Sequence, residues 1–198
     1  MASAVSRRAA SGVVGASDHY GWAVLVAVAD DGAFRDRRRV VLVDDALPKC
    51  PYHHDAQGLP DKEAIRLVER VRVSAERHAK LALEAAAAEM PVRVRGLVLR
   101  RCPPLPATIP ERIRDYRAQC VADSVMYRMA LAGAAEARGW TVHWYEAKTV
   151  LDAARAALGV RDMELHFARL RESLGPPWNN DHRLAMAGAI VAAKARRK

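Results

Sequence analysis

SGVVGASDHYGWAVLVAVADDG, residues 11–32, holds two apolar runs and two turn signals, and the conformation of the second run separates the architectures open to this chain. Ser11 to Ser17 is short and β-compatible. Asp18-His19-Tyr20-Gly21 predicts a tight turn, because Asp and Gly tolerate the backbone angles a turn demands. Trp22 to Ala29 (WAVLVAVA) is apolar at every position, with Val at alternate places. A surface helix would show a polar stripe, so this segment fits a buried strand. Asp30-Asp31-Gly32 is a second turn signal. After the charged FRDRRR stretch, Val40 to Val43 predicts a third strand ending in Asp44 and Asp45. Three runs joined by two short turns read as an antiparallel meander.

Downstream, helices and strands alternate. Lys49 to Pro60 is rich in Pro, His and Gly and reads as a loop. Asp61 opens a long helix to about Glu89, which Pro91 stops. Val92 to Leu99 (VRVRGLVL) predicts a fourth strand. A single helix is expected from about Pro110 to Arg138, ended by Gly139. Trp140 to Tyr145 predicts a fifth strand. Shorter helices follow at Thr149 to Leu158 and Met163 to Leu174, then a Gly175-Pro176-Pro177 linker and a small-residue helix opening at Asp181. The expected architecture is α/β: a five-stranded mixed sheet in which strands one, four and five run parallel through right-handed crossovers, flanked by helices in three layers. One domain is expected over 1–198, with residues 1–11 and 194–198 as flexible tails.

The chain has 198 residues, enough for one full-sized core, with 51% hydrophobic and 28% charged residues. Thirty-two Lys and Arg face 23 Asp and Glu, a formal charge of +9. That surplus favours a polyanionic partner, since each phosphate neutralised releases counterions. Three cysteines, Cys50, Cys102 and Cys120, are too few and too odd in number for a disulfide scaffold. No apolar run reaches the roughly 18 residues of a membrane span. A cytoplasmic protein without membrane attachment is expected.

In open sheets, sites form at the carboxyl ends of the parallel strands. Asp18 lies at the end of the first strand, Arg100 at the end of the fourth, Glu146 after the fifth, and Asp181 at the start of the closing helix. Convergence of Asp18, Glu146 and Asp181 would make a carboxylate cluster able to hold a divalent metal. His182 beside Asp181 is a candidate general base or ligand. Arg100, Arg101 and Lys148 are candidate phosphate-binding residues, guanidinium matching phosphate geometry. The Arg35, Arg37, Arg38 and Arg39 run reads as a solvated edge strand that would track a phosphodiester backbone if it lay beside the site. Cys50-Pro51-Tyr52-His53-His54-Asp55 contains zinc-ligand types. A structural zinc needs four ligands, however, and no second Cys/His pair stands near in sequence.

Two stretches resemble the RuvC-type resolvases of the ribonuclease-H-like superfamily. GASDHYGWAV (Gly15 to Val24) resembles the family's first strand, turn and second strand. ALAGAAEARGWTVHWYEAKTVLDAARAALGV and NNDHRLAMAGAIVAA, within Met129 to Ala193, resemble its later helix–strand–helix run and its terminal Asp-containing helix. The resemblance covers less than half of the chain. It implies a ribonuclease-H-like fold and metal-dependent phosphodiester hydrolysis on structured nucleic acid, of the kind that resolves Holliday junctions. It further implies Mg or Mn in a two-metal site at Asp18, Glu146 and Asp181, and a homodimer. The family places a carboxylate near the end of its fourth strand, where this chain has Leu99-Arg100-Arg101. Glu146 from the neighbouring strand, and Asp55, Asp61 or Glu63 from the third-strand loop and first helix, are the acids available to compensate. The alternative is a catalytically silent nucleic-acid-binding or scaffold protein on the same fold. VVGAS…GWAV…VVLVDD also looks like the opening of a short-chain dehydrogenase binding NAD(P). That reading needs Trp22 to Ala29 to be helical, and the chain offers no Tyr-x-x-x-Lys pair for hydride chemistry.

Overall fold

A computed structural model describes residues 10–195. Its five strands are β1 (Ser11–His19), β2 (Trp22–Ala29), β3 (Phe34–Val41), β4 (Arg93–Arg100) and β5 (Thr141–Tyr145). They form one sheet in the order β3-β2-β1-β4-β5. β1 pairs antiparallel with β2 and parallel with β4; β2–β3 is antiparallel and β4–β5 parallel. Six helices accompany them: α1 (Asp61–Glu89), α2 (Ile109–Arg114), α3 (Tyr116–Ala137), α4 (Val150–Leu158), α5 (Met163–Leu174) and α6 (Asn180–Lys194). This is the ribonuclease-H-like three-layer arrangement expected from the element order. Trp22–Ala29 is a central strand, which removes the dehydrogenase reading.

β2 shows why its segment is apolar throughout. Ala23, Leu25, Ala27 and Ala29 belong to the core beneath α1 and α3, whereas Val24, Val26 and Val28 belong to a second core beneath α4 and α6. Successive strand side chains point to opposite faces, so a strand covered on both sides has no position for a polar residue. Each fully buried Val or Leu contributes about 1.5–3 kcal/mol relative to exposure. Small residues bring α6 close to the sheet: a Cβ on Gly15 would fall inside contact distance of the Ala185 carbonyl, and one on Gly188 would lie 2.9 Å from the Tyr145 ring.

Several boundaries differ from expectation for physical reasons. β1 runs through Asp18 and His19, which pair with Ala23 and Trp22, so the turn is only Tyr20-Gly21, with Gly21 at φ 78°. β3 occupies Phe34–Val41 and therefore contains the arginine run, because its outer edge faces solvent and β-pairing tolerates alternating charge. The expected loop 49–60 contains a π-helical turn at Pro51–Asp55. The single helix expected over 110–138 breaks at Asp115, whose extended backbone ends α2 and whose carboxylate caps α3 through the Arg117 and Ala118 N–H groups. Ser11 is already in β1 and Lys194 still in α6, so those edges of the expected tails are ordered; residues 1–9 and 196–198 lie outside the described residues. Among the described residues no helix is long and apolar enough to cross a membrane.

Candidate functional site

The carboxyl ends of β1, β4 and β5 and the first turn of α6 meet at one rim, as the topology requires. The side chains expected to converge there do not form one cluster. Asp18 shares its sheet face with Val14 and Ala16 and points towards α3. There Arg128 Nε reaches Asp18 Oδ1 at 2.7 Å and Nη2 reaches Oδ2 at 2.9 Å. The two side chains are only 3% and 7% exposed. This is a buried bidentate ion pair, and it uses both oxygens of the carboxylate. The Asp18 partner draws the Arg128 proton affinity upward against the cost of burial.

Asp181 stands on the other face. Ser17 and His19, the neighbours of Asp18 in β1, point towards α6; Ser17 Oγ donates to Asp181 Oδ1 at 3.2 Å, and His19 Nε2 lies 2.9 Å from the same oxygen. His19 stacks on Trp22 with ring centres 4.1 Å apart, and the Arg39 guanidinium sits 4.5 Å from the Trp22 ring centre. Glu146 is exposed and pairs with Arg101 at 2.6 Å. Each of the three expected metal ligands therefore has a basic or hydroxyl partner of its own. Among the described residues, no group of three or more His, Cys, Asp or Glu side chains is placed to hold a metal ion. The donor set does not fit the two-metal centre implied by the resemblance: the guanidinium of Arg128 takes the Asp18 oxygens that a cation would need. Of the compensating acids, Asp61 is paired with Arg114.

His182 is a capping residue. It occupies the third position of α6, 6% exposed, and closes a reciprocal capping box with Asn179, its Nδ1 2.6 Å from Asn179 Oδ1. Burial first, then Arg37, pulls its pKa down. Asn179, rather than Asp181, caps the helix. The arginine run of β3 is also consumed internally: Arg35 pairs with Asp31, Arg38 with Asp36 and Glu89, and Arg39 covers Trp22. Arg37 donates to the carbonyl oxygens of Leu174, Gly175, Pro176 and Pro177, clamping the linker before α6. In the Cys50–Asp55 segment the tight contact is with Asp123. Its Oδ1 accepts from Tyr52 N–H and its Oδ2 from His53 N–H, both at 3.0 Å. Asp123 is 1% exposed, and burial pushes its pKa up to about 6 in spite of those two N–H groups.

What the rim does offer is a cleft of about 620 Å³ between the ends of β4 and β5 and the flank of α3. Arg100, Arg101, Cys102, Ser124, Arg128 and Lys148 line it, and Glu146 is its one acid. Among the described residues neither Arg100 nor Lys148 makes an ion pair, so positive charge is in excess there. A larger groove of about 780 Å³, lined by Asp44, Val73 and Arg77, lies against α1.

The two residues missed from sequence, Asp123 and Arg128, carry a readable signal. They are isolated charges within the otherwise apolar interior of α3, and charges on a buried helix face require partners. The partners themselves, Asp18 and the Tyr52–His53 backbone, lie 110 and about 70 residues distant in sequence.

No family model and no curated protein matches this chain. Among solved structures it is similar to "T. thermophilus RuvC in complex with Holliday junction substrate", at 14% identity over 93% of each chain with a TM-score of 0.48. It is also similar to "Thermus thermophilus RuvC structure", at 14% identity over 92% of this chain and 93% of that one, with a TM-score of 0.44.

Proposed function

We propose that this protein binds structured nucleic acid through the cationic cleft at the carboxyl ends of β4 and β5, without a metal-held reaction centre. The observation that carries the reading is the charge balance of the rim. Asp18 is neutralised by Arg128 and Glu146 by Arg101, which leaves Arg100 and Lys148 uncompensated beside the cleft. A centre that holds two cations about 4 Å apart needs the opposite balance, with free carboxylate oxygens facing one another. A cleft with cations in excess favours the phosphates of a polyanion, as does the chain's +9 charge.

Fluorescence anisotropy on duplex, branched and hybrid oligonucleotides tests this as a function of salt. Binding is expected with EDTA present. The double variant Arg100→Ala/Lys148→Ala is expected to weaken it and to reduce the slope of log K against log salt by about 2, close to one per lost phosphate contact. Mg²⁺- or Mn²⁺-dependent cleavage that disappears in both Asp18→Asn and Asp181→Asn would overturn the reading and restore a metal-centred nuclease.

A further inference from the structure

We infer that Arg128 forms the floor of a phosphate subsite within the cleft, with Asp18 as its positioning residue. The inference rests on the cleft being the nucleic-acid surface, and assigns it one defined contact. Two guanidinium nitrogens of Arg128, Nε and Nη2, are occupied by Asp18. The third, Nη1, meets only the Cys102 sulfur among the described residues, at 3.8 Å, and a thiol is a weak acceptor. Arg128 is thus a charged side chain more than nine-tenths buried, lining the cleft, with donor capacity unspent on its open side.

Its orientation is fixed before any ligand arrives. Arginine on a free surface loses about 2 kcal/mol of rotamer entropy when it is immobilised on a phosphate. Here the bidentate grip of Asp18 has already immobilised it. Ser124, one helical turn earlier on the same flank of α3, adds a hydroxyl donor, and Arg100 adds a second guanidinium from the end of β4. Donors from a helix and a strand end, on a cleft floor with no unpaired carboxylate beside them, suit one tetrahedral phosphate oxyanion. The group is a phosphate of the nucleic acid, either a terminal monoester or a backbone diester.

Cys102 supplies a readout independent of nucleic-acid affinity. Because its sulfur touches Arg128, a phosphate seated on Nη1 covers the thiol. Iodoacetamide labelling resolved by peptide mass spectrometry is run with inorganic phosphate, pyrophosphate, and 5′-phosphorylated and 5′-hydroxyl forms of one oligonucleotide. Phosphate is expected to slow labelling of Cys102 while leaving Cys50 and Cys120 unchanged. Arg128→Lys, which keeps the charge for Asp18 but loses the fork, is expected to raise the concentration needed for protection about tenfold, the value of one charge-assisted hydrogen bond. Should that variant fail a thermal-melt check, Ser124→Ala and Arg100→Gln carry the same measurement and are expected to weaken protection. Stronger protection by the 5′-phosphorylated form assigns a terminal monoester, and equal protection assigns a backbone diester; both support the subsite. If nucleic acid binds but Cys102 is not protected, or protection is equal in wild type and every folded variant, the subsite is refuted and the cleft reading stands. If phosphate protects but nucleic acid does not bind, the cleft reading falls and with it the assignment of the phosphate to nucleic acid.

Discussion

Replacing Arg128 by Met leaves Asp18 as an unpaired carboxylate on the buried face of β1. The two hydrogen bonds lost, at 2.7 and 2.9 Å, are charge-assisted and each contributes about 1.5–3 kcal/mol. Since the side chains are 3% and 7% exposed, water cannot replace the guanidinium without opening the packing of α3 on the sheet. Removing one partner of a buried pair costs about 3–5 kcal/mol for this reason. With a urea m-value of about 2 kcal/mol/M, the unfolding midpoint falls by roughly 1.5–2.5 M at unchanged m. The apolar double replacement Asp18→Leu/Arg128→Met strands no charge, and it is expected to recover most of that loss. Urea denaturation of the four members of the cycle measures the coupling, expected at about 3 kcal/mol or more. An Arg128→Met protein within about 1 kcal/mol of wild type, or a double replacement as unstable as the single losses added together, would refute a buried pair at this position.

Three further outcomes follow from other parts of the molecule. Asp123 has its pKa raised from 3.8 to about 6, chiefly by burial. A carboxyl that binds its proton more tightly when folded stabilises the protein most below pH 4, and that stability is lost as pH rises towards 6. The difference in unfolding free energy between wild type and Asp123→Asn is therefore expected to move against wild type by an amount on the order of 2 kcal/mol across pH 4 to 6, and a flat difference would contradict it. Gly15→Ala drives a methyl into the Ala185 backbone carbonyl, so α6 must move off the sheet; a loss of at least about 1–3 kcal/mol is expected by thermal melting. Arg37→Ala releases the carbonyls of Leu174 to Pro177, and limited proteolysis is expected to cut this linker faster in the variant than in wild type, with overall stability changed by only about 1–2 kcal/mol.

The strand pattern was legible because it depends on local physics. WAVLVAVA is apolar on both faces, which only a strand sandwiched between two helical layers can satisfy, and Gly21, Gly32, Gly139 and Gly159 mark ends where φ is positive. The break at Asp115 was less legible, because an N-cap inside a continuous helical pattern announces itself only through backbone angles. The pairing of side chains across the rim was not legible at all. Asp18, Asp181 and Glu146 reach the expected edge, but whether two acids face each other depends on strand register and on which helix supplies the nearest cation. Those contacts span 110 residues for Asp18 and 164 for Asp181, and no local pattern encodes them.

Register also explains why this rim is basic. Ser17, Asp18 and His19 are consecutive in β1, so Ser17 and His19 face α6 while Asp18 faces α3. Asp181, at the start of α6, can meet only the first and third of these. Asp18 must then be neutralised from α3, and Arg128 does so from within a buried layer where a stranded carboxylate would be costly. The end of β4 carries no carboxylate. An arginine there, with Lys148 beside it, adds instead to a surface whose anions are already matched. The pairing of Asp18 with Arg128 thus follows from the alternation of one strand, and Arg100 and Lys148 supply the excess charge at the cleft. Reversing it would need both a β4 carboxylate and removal of Arg128. The variant Arg100→Glu/Arg128→Met is accordingly expected to lose nucleic-acid affinity, whereas a variant that changes Arg100 alone keeps Asp18 occupied and stays indifferent to divalent ions.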